Sequence, residues 1–317
     1  MFYISASSTI SHQPAFQNAG FSGVIEPLLA DSVLITPDYK GYIDAGLLRR
    51  MSKILRMSVA CSKDCLNQAG IDQPDAIVVG TGLGCLQDTE KFLTNSITIE
   101  GLLPPTSFIQ STHNTMAGQI SLSIGNHGYN MTHTQNTLSF ENALQDAMLL
   151  LMEGQQHVLV GAADEYIEFL TQVSENLAAF DGQYLTSGAS FFVISNQKTD
   201  TSAAAIKDCR SVGLVDDTEA EIISFLAENE LNAADIDLIL YAGYSKSNFE
   251  IFLKLGIDKS KCVDYLAYSG LYPSASAFAL HIAADRIQHD KSVGNILIYN
   301  ALVPHHLGLT LVQPVEA

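Results

Sequence analysis

The chain has 317 residues, 47% of them hydrophobic and only 16% charged, a balance that suits one large core or two medium ones and excludes intrinsic disorder. Its formal charge of −18, from 34 acidic against 16 basic residues, argues against a nucleic-acid partner and against direct attraction to anionic lipid. No apolar run reaches the roughly 18–20 residues of a membrane span, and the N-terminal MFYISASSTISHQPAF lacks a basic segment ahead of an apolar one, so a cytoplasmic protein without membrane insertion is expected.

In chain order, residues 2–5 and 21–36 read as short strands. Asp44 to Ala69 reads as one long helix, with an apolar stripe of Leu47, Leu48, Met51, Ile54, Leu55, Val59 and Leu66 that Gly70 and Pro74 stop. Five scattered cysteines fit reduced thiols. Cys61 and Cys65 lie four apart on this helix, but no further ligand is suitably spaced, so neither metal nor cofactor is expected. Residues 75–80 form a buried-type strand, and TGLGC at 81–85 is the turn after it, lacking the third glycine of a dinucleotide fingerprint. Pro104-Pro105 mark a loop before Phe108–Gly118, from which a helix runs to Ile124.

Tyr129 to Thr134 is rich in β-branched and aromatic types and predicts a strand. Phe140, Ala143, Leu144, Ala147, Met148 and Leu151 recur at helical spacing. Between them, Gln135-Asn136-Thr137 is a tight strand-to-helix joint, where unpaired N–H groups of the helix start favour a thiolate or oxyanion. A nucleophile is expected there, yet the joint holds no cysteine and no glycine-flanked serine. Strands follow at 156–161 and 188–195, and a polar stretch at 196–203 divides the chain into halves, 1–200 and 201–317. The second half repeats the alternation with strands at 205–212, 236–241, 262–266, 295–300 and 308–313 and helices at 219–228, 247–255 and 274–287. The expected fold is α/β, a five-layer α/β/α/β/α sandwich of two pseudo-repeated halves forming one compact unit.

Several segments together resemble the thiolase-fold β-ketoacyl synthases. SFIQSTHNTMAGQISLSIG at 107–125 is similar to the block that precedes the nucleophile strand, and HGYNMTHTQNTLSFENAL to that strand and its elbow. HVLVGAADE at 157–165, DGQYLTSGASFFV at 181–193, LYAGYS at 240–245, SGLYPSASA at 269–277 and YNALVPHHLGLTLV at 299–312 fall where the family has its other motifs. The family uses a cysteine to take an acyl chain from a carrier, and two histidines to assist decarboxylation and stabilise the enolate and oxyanion. Matched without gaps, Thr137 falls on the cysteine, Ala242 and Leu271 on the two histidines, and Leu266 on the lysine that supports the second. None is reactive in the required way, whereas the surrounding scaffold remains.

The resemblance therefore implies a chain-length factor, a degenerate ketosynthase copy that heterodimerises with an active β-ketoacyl synthase, shapes its acyl tunnel and meets the acyl carrier protein through the complex. TGLGCLQDTEKFL, FIQSTHNT and SFENALQDAM resemble such proteins of aryl polyene, flexirubin and dialkylresorcinol clusters. Pocket, tunnel or interface candidates are Phe108, Ile109, His113, His133, Gln135, Phe140, Tyr268, His305 and His306, with Tyr265 and Tyr272 as further aromatic lining. Gln135 resembles the glutamine that replaces the cysteine in aromatic-polyketide chain-length factors. His305 and His306, where the active enzymes carry glycine, imply a filled site. Two rivals stand: an acyltransferase or thioesterase using Thr137 with His305 or His306, which requires hydroxyl and base within hydrogen-bond reach, and a homodimeric scaffold without acyl substrate.

Overall fold

The computed structural model describes residues 1–177, 183–243 and 247–315. Its first half comprises β1 (Phe2–Ile10), α1 (Ala45–Leu48), α2 (Lys53–Ala69), β2 (Ala76–Gly80), α3 (Leu86–Thr98), α4 (Pro105–Gln110), α5 (Thr115–Ile124), β3 (Tyr129–His133), α6 (Ser139–Met152), β4 (His157–Asp164), α7 (Glu168–Leu177) and β5 (Gly188–Ser195). The second comprises β6 (Ala204–Val212), α8 (Thr218–Glu228), β7 (Leu238–Gly243), α9 (Ser247–Lys254), β8 (Cys262–Asp264), α10 (Leu266–Ser269), α11 (Ser276–His289), β9 (Ile296–Ala301) and β10 (Leu307–Gln313).

The ten strands run in the order β3-β2-β4-β5-β1-β6-β10-β9-β7-β8. Read outward from the β1–β6 seam, each half has the same order, with β2, β3 and β4 parallel and β7, β8 and β9 parallel in the same places. The internal repeat, weak in the letters, is thus complete in the topology. The halves join where Phe2, Tyr3 and Ile4 pair with Ile206, Ala205 and Ala204.

Because strand side chains alternate between faces, each inner strand feeds two cores. Ala76 and Val78 of β2 enter a central core with α6 and α11, while Ile77 and Val79 enter an outer core with α2 and α5. Ile296 and Ile298 of β9 face the same central core, and Leu297 and Tyr299 face a second outer core with α8 and α9. Three helical layers around two five-stranded halves make the expected α/β/α/β/α sandwich. A strand buried on both faces has no polar side, which is why AIVVG and the 296–301 segment read as continuous apolar runs.

Two expectations are corrected. Residues 21–36 contain no strand: after a 3-10 turn at Phe21–Gly23 the chain is irregular, and the Gln13 side chain takes up both the N–H and the carbonyl of Glu26. The helix expected over 44–69 is broken at 49–52, where Met51 turns into the outer core and its carbonyl accepts from Arg56 Nε at 2.9 Å. Cys61 and Cys65 point their sulfurs at the carbonyls of Ala189 and Phe191 in β5, and burial pushes both thiols far up, which suits packing and not chemistry. Among the described residues, no helix is long and apolar enough to cross a membrane.

Candidate functional site

The strand-to-helix joint is built as the sequence implied. β3 ends at His133, Asn136 takes a left-handed backbone (φ 54°), and a 3-10 turn over Asn136–Leu138 runs into α6. Asparagine tolerates this conformation best among residues with a side chain. The start of α6 lies directly against the end of β2, where a Cβ on Gly80 would stand 2.5 Å from the Ser139 carbonyl oxygen. Ser139 Oγ reaches the carbonyls of Asn136 and Thr81 at 2.6 and 2.9 Å. From the second half, Asn300 Nδ2 donates to the Thr137 carbonyl and to Glu141 Oε1, both at 2.8 Å.

Asp164, at the end of β4, ties the neighbouring loops together. Its Oδ1 accepts from Thr81 Oγ1 and from the N–H groups of Gly82 and Leu83, and its Oδ2 from the N–H and hydroxyl of Ser274, at 2.7–3.0 Å. These loops, with α7 and the β9–β10 connection, enclose a cavity of about 230 Å³ beside the joint. Thr137 and Glu165 contribute from the first half, Leu271, Tyr272, Leu302 and Val303 from the second. Its wall is dominated by leucine and valine, and among the described residues it carries no cysteine, histidine, lysine or arginine.

Thr137 is 6% exposed, and its Oγ1 has no hydrogen-bond partner among the described residues. A hydroxyl without an adjacent base is a poor nucleophile. The only ionisable carboxyl on the described wall is Glu165, a residue not singled out in the sequence although it lies within HVLVGAADE. Burial pushes its carboxyl up to about 7, against the pull of the Gln87 N–H (2.9 Å from Oε1) and of Lys53. Only its place in the pocket marks it out.

The remaining candidates are dispersed. Leu271 does wall the cavity with Thr137, whereas Ala242 is buried in the central core and Leu266 is buried in α10, not at a strand end. Phe140 is central-core packing, its ring 5.9 Å from that of Phe192. Gln135 is exposed and does not line the cavity. His133 Nε2 lies 2.9 Å from Asp146 Oδ2, which also accepts from the Tyr129 hydroxyl. His113 is exposed, its ring lying over left-handed Gly84, where a Cβ would come within 2.7 Å. Phe108 and Ile109 on α4 are 58% and 63% exposed.

Of the three tyrosines, only Tyr272 lines the cavity; Tyr265 is fully buried, and Tyr268 borders a different cavity near Arg286. His305 and His306 line yet another with Val215, Glu250 and Lys254, and His305 Nδ1 is 3.1 Å from the Val215 carbonyl oxygen. They leave the space beside Thr137 open, so the filled site expected from them is not what the fold builds. Motif residues 181–182 and 244–245 lie outside the described residues.

The sandwich of two repeated halves with a strand-to-helix joint at one end defines the thiolase-like class. Residues 38–229, more than half of the chain, match the family described as β-ketoacyl synthase, N-terminal domain, and the chain belongs to that family. No curated protein sequence matches it. Among solved structures it is similar to the ishigamide ketosynthase/chain length factor (17% identity, 99% of each chain covered, TM-score 0.80). It is also similar to a β-ketoacyl synthase from Burkholderia phymatum STM815 (13%, 99% of each chain, 0.80). A third is the ketosynthase ApeO in complex with its chain length factor ApeC from Xenorhabdus doucetiae (11%, 99% of this chain and 98% of that one, 0.77). At these identities the likeness is one of fold.

Proposed function

We propose that this chain is a non-catalytic chain-length factor that pairs with an active β-ketoacyl synthase and shapes the acyl tunnel of that partner. The observation that carries the reading is the cavity beside Thr137: the family's elbow and its surrounding loops are kept, while the described wall offers neither thiol nor imidazole nor ammonium group. Decarboxylative condensation needs a nucleophile and groups that stabilise the enolate and oxyanion. Thr137, Ala242, Leu271 and Leu266 supply neither. The halves 1–200 and 201–317 act as one unit, since both contribute to the cavity wall. Two of the similar solved structures are themselves described as containing a chain length factor.

Docking to the partner uses strand β3 at the open edge of the sheet, with Phe108 and Ile109 on α4 facing the partner's acyl tunnel. The acidic chain repels an acidic carrier protein, so the partner presents the docking surface for it. We place the pair in the cytoplasm, in polyketide or fatty-acid-like biosynthesis of a pigment of the aryl polyene or flexirubin kind. The rival built on Thr137 with His305 or His306 loses support because hydroxyl and imidazoles line separate cavities.

Co-expression with an active β-ketoacyl synthase as the partner tests the reading. A stable 1:1 complex is expected, with no acyl adduct on this chain by intact-mass analysis after incubation with acylated carrier. Phe108→Ala in the complex shifts the product-length distribution. Covalent acylation of Thr137, or elongation by this chain alone, overturns the non-catalytic assignment; unchanged product length overturns the tunnel role of Phe108.

A further inference from the structure

A second cavity, of about 330 Å³, lies between α2, α11 and the turn that follows β1, and shares no lining residue with the cavity beside Thr137. His281 of α11 forms part of its wall and is 6% exposed, its ring 4.6 Å from that of Phe21 and 6.3 Å from that of Phe192. The tautomer follows from its neighbours. Thr9 Oγ1 donates its single hydrogen to Ser190 Oγ at 2.8 Å, so it can only accept from His281 Nδ1, also at 2.8 Å. Nδ1 therefore carries the proton and Nε2 presents a lone pair, which takes part in no hydrogen bond among the described residues. Burial pushes the imidazole down to about 4, so it stays neutral in any ordinary buffer.

Other side chains on the same cavity wall add acceptors. Gln17 Nε2 donates to Asp64 Oδ1 at 2.5 Å and to the Tyr42 hydroxyl at 2.8 Å, and Gln68 Nε2 donates to Asp64 Oδ2 at 2.8 Å, which turns both amide nitrogens toward these partners and leaves the two side-chain carbonyl oxygens without a hydrogen bond among the described residues. Asn18 Nδ2 is held by the Pro14 carbonyl at 2.6 Å. Asp285 adds a carboxylate, which accepts from the N–H groups of Gly20 and Ser22 and from the Ser22 hydroxyl and lies 3.3 Å from His289 Nδ1. Gln17 sits in the left-handed region (φ 52°), which a side-chain-bearing residue holds only where its surroundings enforce it. His281 Nε2, two amide carbonyl oxygens and the Asp285 carboxylate on one wall, which also carries the Ser7 hydroxyl and the Gln288 amide, suit a guest that brings hydrogens and positive charge.

We propose that this cavity binds a small primary amine as its ammonium ion, donating to His281 Nε2 and to the carbonyl oxygens of Gln17 and Gln68 beside the Asp285 carboxylate. The site is independent of the joint and of the chain-length-factor reading.

Calorimetric titration of the full-length protein with 1,4-diaminobutane, and with 1,4-butanediol as a neutral match in shape, at fixed ionic strength tests it. The diamine is expected to bind saturably at one site and the diol not at all. His281→Phe keeps a ring against Phe21 and Phe192 but removes Nε2, and weakens the diamine at least tenfold. Gln17→Ala, on the exposed turn, weakens it about threefold or more and supplies the readout if His281→Phe does not fold. Equal binding of the diol, a linear unsaturable response to the diamine, or saturable binding that the variants leave unchanged overturns the site.

Discussion

Glu165 shows how the fold changes the chemistry of a single residue. Its carboxyl titrates near 7 in the folded chain against 4.5 for the free group, so the native state keeps a proton that the unfolded chain releases. Its contribution to stability is therefore favourable at low pH and is lost as pH rises from about 4.5 through about 7, levelling beyond that. Holding the ionised form in this site costs on the order of 3 kcal/mol. Glu165→Gln removes the titration, so the variant's unfolding free energy relative to wild type is expected to grow from pH 5 to pH 8. Denaturant unfolding at pH 5, 6, 7 and 8 measures it; a difference flat across that range would show that Glu165 has an ordinary pKa. Nothing local in GAADE announces this behaviour, because the burial and the partners of the side chain, the Gln87 N–H and Lys53, come from segments far away in the chain.

Among the elements, β3 is the outermost strand of its half and bonds only to β2 among the described strands, leaving one row of backbone groups open. Tyr129 and Met131 on it are 38% and 41% exposed. Met131→Lys places a charge on that edge without touching a core. It is expected to weaken the complex with the ketosynthase at least tenfold by size-exclusion and light scattering, with the stability of the isolated chain changed by less than about 0.5 kcal/mol. A complex of undiminished affinity would move the interface elsewhere. The same scale explains which elements were legible. α6 and α11 bury wide apolar stripes and stand out in the letters; α3 carries Leu86, Phe92, Leu93 and Ile97 but buries only Asp88, and Leu93 and Ile97 stay exposed.

At the scale of the whole molecule, a charge of −18 creates a field that reaches beyond any one contact. If the partner is a more basic ketosynthase, this field steers association, and the on-rate is expected to fall about tenfold or more between 0.05 and 0.5 M sodium chloride in stopped-flow mixing. A rate insensitive to salt would show that the partner is not the more basic one that this acidic chain would attract. The two halves repeat one topology around a seam of three residue pairs, and the cavity beside Thr137 takes wall from both.

The letters alone carry the alternation of strands and helices, the doubly buried strands, the joint at 135–137 and the absence of a cysteine within it. All of these follow from local composition and from periods of 2 and 3.6 residues. The packing of the two halves brings Leu271 to Thr137 at one cavity, sends Ala242 and Leu266 into the core, turns His305 and His306 away and leaves the space open. It also placed His281, Gln17 and Gln68 around a second cavity. Contacts between residues more than a hundred positions apart depend on how the sheet halves stack, and no window of sequence carries that distance.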